Sequence, residues 1–548
     1  ISATNDSKIE VSHYLKLDGK IDLVGKSQLI QTEGTDLDVT SSGSIERDQQ
    51  GQSNLYNYNY WCSPVSPTST SSNNNNYSIS GVMRDGTHPS APVNINWVSG
   101  YDGATTSPIS LARYWLNTFD NYVNDYSNWN QIQETTPIRV GQGFTLKGSG
   151  ASGSQNYVFT GKPNNGTINT NSVGKDQLLL TGNPYPSALD AEAFINDNSS
   201  SIDGTLYFWE HFSSNNTHVL KDYQGGYAER NYVGGLPPVS PSLISGLGSS
   251  TKTPGQFVPV GQGFFVNGNL TTGGAVTFKN SQRSFHKEDE TGVSNSVFKT
   301  TSNKKTLSTT GNNLNDPIVS DSYMKIRLGH NANNSYHRQV LLGFMNERAT
   351  SEIDYGYDAL NIDDFSNDMY FLVGENQLVI QGVGHFDENT DLPIGVKADA
   401  EGKVSFVIDA LENFAPEQAV FIYDNLTDTY HNIREQAYEV DLPAGTNDSR
   451  FSLRFKDKTL KVEQNSINDI NITHIQNGNI LVINNNLLDV TVEKVTLYNI
   501  LGQSVSTWKI ENQEQQNIKI PVENISSGIY IAKVKTNNGE SSKKIIIN

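Results

Sequence analysis

Two groups of residues in this 548-residue chain have the types and spacing to do chemistry. Carboxylates crowd one stretch, with Asp354, Asp358, Asp363, Asp364 and Asp368 followed by Asp387, Glu388 and Asp391. Oxygen-rich loops are what calcium requires, at about six to eight ligands per ion. The spacing matches neither an EF-hand nor a nonapeptide repeat, so Asp363, Asp364 and Asp368 stand as calcium candidates beside a plainer reading as solvated acidic loops. The second group is aromatic: Trp61, Trp97, Trp115, Trp129 and Trp209, interleaved with Tyr58, Tyr60, Tyr114, Tyr126, Tyr207, Tyr223, Tyr227 and Tyr232. Aromatic faces stack on sugar rings, and nearby acidic or amide groups can fix the hydroxyls. Trp129 and the run Tyr223-Gln224-Gly225-Gly226-Tyr227 read as loops, so Trp129, Tyr223 and Tyr227 are the candidate glycan contacts. Core packing of a large β-sandwich is the competing explanation for most of these rings.

Catalytic signatures are missing. The chain has no His-Glu-x-x-His, no Gly-x-Ser-x-Gly, no cysteine–histidine arrangement and no Walker loop, and His211 and His218 match no zinc spacing. The expectation is that it is not an enzyme, although paired carboxylates from distant strands, as in a glycosidase, would leave no local mark. The formal charge is 39 − 58 = −19 with no basic stripe, which argues against a nucleic-acid partner. A single cysteine, Cys62, rules out an intrachain disulfide, and its place between Trp61 and Ser63 suggests a buried, inert thiol. No apolar run is long enough for a transmembrane helix.

These residues must be positioned by strands. Gly, Asn, Ser, Thr and Tyr abound, so the fold class expected is all-β with little helix. In residues 1–55, Leu15, Leu17, Ile21, Leu23, Leu29, Leu37 and Val39 fall on short alternating strands punctuated by glycines, as in the terminal rungs of a β-solenoid whose earlier rungs precede Ile1. Between 56 and 286 a degenerate duplication appears, in repeats at 56–170 and 171–286. Trp61-Cys62-Ser63-Pro64 recurs in kind as Thr181-Gly182-Asn183-Pro184, and Val140-Gly141-Gln142-Gly143-Phe144 as Val260-Gly261-Gln262-Gly263-Phe264, both at an offset of 184 − 64 = 261 − 141 = 120. Tyr114-Trp115 and Phe208-Trp209 break that register at 94. Two related β-domains, or two halves of one sandwich, follow. The Gly-Gln-Gly-Phe element is not a nucleotide loop, because strand rather than helix comes after it; glycine at a tight bend that lets Phe144 and Phe264 enter the core fits better. A Ser/Thr/Lys/Asn-rich linker covers 287–313, an antiparallel β-sandwich or jelly roll 314–458, and a second linker 459–474.

Residues 475–548 read as about seven short strands, a small β-sandwich of immunoglobulin type. Within them stand three blocks: Leu497-Tyr498-Asn499-Ile500-Leu501-Gly502-Gln503, Ser527-Gly528-Ile529-Tyr530-Ile531-Ala532-Lys533-Val534, and Lys543-Lys544-Ile545-Ile546-Ile547-Asn548. Their order and spacing resemble the type A C-terminal sorting domain of Bacteroidota type IX secretion cargo. The resemblance implies that Leu497, Tyr498, Gly502, Gln503, Gly528, Tyr530, Lys543 and Lys544 carry the export signal. It also implies that the partners are the outer-membrane type IX translocon with its shuttle and attachment proteins, and that the location is the cell surface or the medium of a Gram-negative bacterium. The solenoid-like stretch and the Gly-Asn-Pro-Tyr-Pro block resemble modules of large flavobacterial surface proteins. On that basis the chain is expected to be the C-terminal region of a surface adhesin or structural protein, binding a surface glycan or a host or substratum ligand. A carbohydrate-binding or carbohydrate-active module is the alternative.

Overall fold

The structure, a computed structural model, describes residues 1–123, 128–212, 215–288, 322–332, 336–458, 470–476, 478–485, 490–511, 516–537 and 539–547. The linkers expected at 287–313 and 459–474 lie mostly outside the described residues. Two compact units result, Ile1–Lys456 and Asp457–Asn548. Strand accounts for 51% of residues and helix for 4%, so both units are all-β.

The chain enters as a β-solenoid. Ser2–Ala3, Lys20–Leu23 and Ser44–Gln52 stack in parallel at offsets of 20 and 24 residues. Lys8–Val11 stacks on Gln28–Gln31 in the same sense, and Tyr14–Leu15 on Asp36–Leu37. Each turn thus has three short strands, and stacking places Leu17, Ile21, Leu23, Leu29, Leu37 and Ile45 inside, all nearly or fully buried. Val39 departs from the expected pattern: it lies in the turn after Asp36–Leu37 and stays exposed. The last rung does not end a domain. Ser44–Gln52 pairs antiparallel with Ser154–Pro163, which carries Met83–Asp85 on its far side, so the solenoid sheet runs on into the first repeat.

The two repeats interlock. Within the first, Phe144 pairs with Trp61; within the second, Phe264 pairs with Thr181, and both numbers are higher by 120. Between them, Trp61 bridges Gln262 while Thr181 bridges Gln142, again related by 120. The backbone repeats this exchange: Cys62 N donates to Gly261 O at 2.9 Å and Gly182 N to Gly141 O at 3.1 Å. Such reciprocity is a local twofold relation, and the matched motifs lie against each other at its centre. Gly141 (φ +86°) and Gly261 (φ +64°) hold left-handed conformations that cost glycine little. Phe144 and Phe264 are fully buried behind them. One continuous core, from Leu23 through Trp61 and Phe144 to Phe278, serves solenoid and repeats together. The repeats are therefore two halves of one body. The 94-residue offset has a simple cause: Tyr114 and Trp115 sit in a 3-10 turn, Arg113–Trp115, whereas Phe208 and Trp209 lie in the strand Ile202–His211, so the pairs are not equivalent. Cys62 is buried, as its neighbours suggested.

In the segment expected to be an antiparallel sandwich or jelly roll, the strands around Met324, Val340, Ile380, Phe406, Ile422 and Phe451 join a single sheet. Its pairing is antiparallel except for Tyr336–Phe344 beside Asn376–Val383. The sheet curls until its edge strands approach. His431, on one edge strand, stacks on Tyr438, on the other, with centroids 3.6 Å apart. Asp424, fully buried, accepts from Tyr438 OH at 2.8 Å and from Arg450 Nε and Nη2 at 2.9 and 2.7 Å. This near-barrel docks on the repeats through Val233 and Leu236, which share a core with Leu341, Met345, Val379 and Ile380.

The second unit is a sandwich of a three-stranded sheet (Ile470–Ile475, Ile480–Asn485, Asn517–Pro521) and a four-stranded one (Ser504–Lys509, Val492–Asn499, Gly528–Thr536, Gly539–Ile547). Leu481, Ile483, Val495, Leu497, Ala532 and Val534 fill the space between the sheets. Among the described residues, no helix is long and apolar enough to cross a membrane.

Candidate functional site

The most unusual side chain of the first unit is Lys147. Strand Phe144–Lys147 pairs with Tyr58–Trp61, which sets Tyr58 directly opposite Lys147. Trp115 is brought over the same spot by its 3-10 turn, held where Thr145 Oγ1 donates to Trp115 O at 2.8 Å. Lys147 is 2% exposed, and its ammonium faces three rings, at 3.6 Å from the centroid of Trp115, 4.2 Å from Tyr58 and 5.3 Å from Tyr223. Burial pushes its pKa down to about 7, with the Asp102 carboxylate acting in the opposite direction. The π-faces also favour the charged form, so they too counter the burial.

A directional chain of hydrogen bonds leaves this amine. Nζ donates to Tyr223 OH at 2.6 Å, and Tyr223 OH donates to Tyr56 O at 2.8 Å. On the other side Nζ meets His218 Nδ1 at 3.1 Å, while His218 Nε2 meets Asp102 Oδ1 at 2.8 Å. An imidazole carrying its proton on Nε2 satisfies both contacts. His218 lies flat on Trp115 at 4.6 Å. Nearby His211 accepts from Tyr58 N at 2.9 Å, and burial first, then the Lys147 charge, holds its pKa down to about 3. The result is a floor of one amine and several rings, with Asp102, Tyr101 and Tyr114 exposed beside it.

The expected glycan contacts fare differently. Tyr223 is fully buried: it follows the 3-10 turn Leu220–Asp222 and precedes the strand Gly225–Arg230, and with its hydroxyl engaged by Lys147 and Tyr56 and no ring face exposed, it cannot stack on a sugar. Tyr227, on that strand, is half-buried, and its hydroxyl lies 3.0 Å from Tyr60 OH. Trp129 is half-buried with its edges on Phe119 and Phe265. Both flank an aromatic core of Tyr60, Tyr207, Trp209 and Phe265.

The acidic cluster comes apart. Asp368 is buried and paired with Arg338 at 2.8 Å, and it accepts from Asn361 at 2.7 Å. Asp364 points outward to Lys397 at 2.7 Å. Asp363 lies toward the repeats, where its charge raises the pKa values of Tyr227 and Glu229. Asp391 pairs with Arg454, Glu388 with Lys456, and Asp387 binds Asn389. Alternation along short strands and turns sends these carboxylates in different directions, so Asp363, Asp364 and Asp368 are not brought together around one point. Among the described residues, no three His, Cys, Asp or Glu side chains are grouped to hold a metal ion.

In the second unit the signature residues divide into core and surface. Leu497 and Tyr530 are buried, with Tyr530 OH donating to Ser526 O at 2.8 Å. Tyr498 and Gly528 are half-buried. Gly502, at φ +78°, lets the hairpin reverse, while Asn499 Oδ1 accepts from Leu501 N and Gln503 N, both at 3.0 Å. Lys543 donates to Asn471 Oδ1 at 2.9 Å on the opposite sheet, and Lys544 is exposed across from Ile531. The signature reading passed over the hairpin tip: Ile500 and Leu501 are 74% and 78% exposed. Ile529, Ile531 and Ile546 add apolar surface to the outer face of the four-stranded sheet.

Residues 477–548 match the Secretion system C-terminal sorting domain. The chain is accordingly a type IX secretion cargo that engages that machinery through its tail. No curated protein matches the chain. Residues 1–455, nearly the whole of the first unit, match the family described as Domain of unknown function (DUF8693), and the chain belongs to that family.

Proposed function

We propose that the chain is a displayed surface protein of a Bacteroidota cell, in which the Ile1–Lys456 unit does adhesive or structural work and the sorting sandwich directs passage across the outer membrane. Binding and display, not catalysis, are the role assigned to it. The observation that carries the reading is the sorting match falling on a separate, complete sandwich whose hairpin tip presents Ile500 and Leu501 to solvent. Apolar side chains at such exposure on a soluble sandwich favour a partner that covers them, and the translocon with its shuttle and attachment proteins is the partner proposed. Lys543 and Lys544 on the final strand supply the basic part of the signal.

The test is fractionation of cells expressing the full chain and a form lacking residues 475–548. The full chain should reach the surface or the medium, and the truncated form should stay in the periplasm. Normal surface delivery of the truncated form would overturn the assignment. A second reading, a carbohydrate-binding module, is favoured by the exposed rings of Tyr101 and Tyr114 beside the Asp102 carboxylate.

A further inference from the structure

The surface above Lys147 holds an aromatic corner. Tyr101 and Tyr114 are 58% and 43% exposed, and their rings meet edge to face at 4.7 Å and 76°. Neither hydroxyl has a protein partner among the described residues. Contacts of the backbone tie down the loop that carries this pair. Trp115 Nε1 donates to Tyr101 O at 2.6 Å, and Ala104 and Ser110 exchange backbone hydrogen bonds of 2.9 Å at the base of the loop. Gly103 lies so close to the neighbouring backbone that a Cβ there would stand 2.6 Å from Ser110 O and 2.8 Å from Gly148 O. Beside the corner, His218 holds Asp102 Oδ1 at 2.8 Å while the Asp102 side chain stays 59% exposed. Lys147, beneath, is a positioning residue that fixes His218 through Nδ1.

We infer that this corner binds one pyranose unit of a soluble neutral glycan, with a Tyr101 or Tyr114 face against the sugar C–H groups and Asp102 accepting from vicinal hydroxyls. Perpendicular rings cradle a single sugar, whereas a flat crystalline polysaccharide would need coplanar ones. A negatively charged glycan would meet the exposed Asp102 carboxylate and a chain of formal charge −19, so the neutral class is the one favoured. The inference deepens the binding role proposed for the first unit and depends on it.

The test is titration of the full chain with cellohexaose, laminarihexaose and mannohexaose, followed by calorimetry and by tryptophan fluorescence. Trp115, with its centroid 6.1 Å from that of Tyr101, acts as the reporter. At least one oligosaccharide should bind and change the emission. Tyr101→Ala and Asp102→Asn should each weaken binding about tenfold or more, equivalent to ~1.4 kcal/mol. Tyr14→Ala, an exposed tyrosine on the solenoid, should bind as the parent does. Both site side chains are largely exposed, so circular dichroism and Tm should be unchanged and lost binding is not lost folding. Absence of binding to all three oligosaccharides, or equal binding by the Tyr101 and Asp102 variants, overturns the inference. Surface delivery, measured separately, does not depend on these side chains, so failure here is distinguishable from failure of the export reading.

Discussion

Replacing Glu229 by Gln should flatten the pH dependence of stability of the first unit. Glu229 lies on Gly225–Arg230 opposite Tyr207, is 7% exposed, and its Oε2 has no hydrogen-bond partner among the described residues. Burial raises its pKa to about 8; Arg338 works against the rise, while Asp363, Asp203 and Asp368 add to it. The unfolded chain releases this proton near the ordinary glutamate value of 4.5. Between these two values the folded state binds more protons than the unfolded one, so stability falls as pH rises. Integrated from about pH 5 to about pH 8, this one group accounts for a loss of about 3 kcal/mol. Glutamine keeps the volume and removes the titration. Thermal unfolding of the full chain across this range should give a shallower decline for Glu229→Gln, with the variant more stable than the parent at the upper end. Asp203 and Asp358, each raised by burial to about 7, leave some slope in the variant. An unchanged slope, or no gain at about pH 8, would refute the argument that the carboxylate is held in a dry site.

Three further outcomes follow from particular contacts. Asp424→Asn should destabilise the near-barrel by about 3 kcal/mol, because it leaves Arg450 without its charged partner, and chemical denaturation would measure the loss. Asp424 is held below its usual pKa by Arg450 and Tyr438 despite its burial, so its stabilisation is present above the ordinary carboxylate range and lost as pH falls through its lowered value; the variant should lack that acid dependence. Gly204→Ala should cost about 1–3 kcal/mol, since Gly204 has φ +95° and a Cβ there would stand 2.5 Å from Gly356 N at the docking of repeats and near-barrel; a Tm equal to the parent's would contradict this.

Much of the fold could be read in advance where contacts are local. Period-two alternation located the near-barrel strands, and Gly502 stands at a hairpin turn where its φ of +78° allows it. The offset of 120 announced the duplication. It did not reveal that Trp61 would bridge Gln262, because a strand carries no label for a partner two hundred residues away. Tyr223 does lie in a connecting segment, but that segment is folded inward onto Lys147, and a local run of Gln and Gly gives no sign of a partner 76 residues away. The acidic residues looked like one site only because they are neighbours in sequence. Lys147 gave no warning: its partners Tyr58, Trp115, His218 and Tyr223 come from four segments, and a lysine at the end of a strand is ordinarily solvated.

The reach of the tertiary contacts also sets an order of events. In the first unit, Gln28 donates to His286 O across 258 residues, so the solenoid and the repeats must close a long loop to pack. In the sorting sandwich the long-range tie between Lys543 and Asn471 spans only 72 residues, and its last two strands are a hairpin. Chains dominated by nearby contacts fold faster than those that must close long loops. The address is therefore expected to acquire its shape while the part it delivers is still searching for its own.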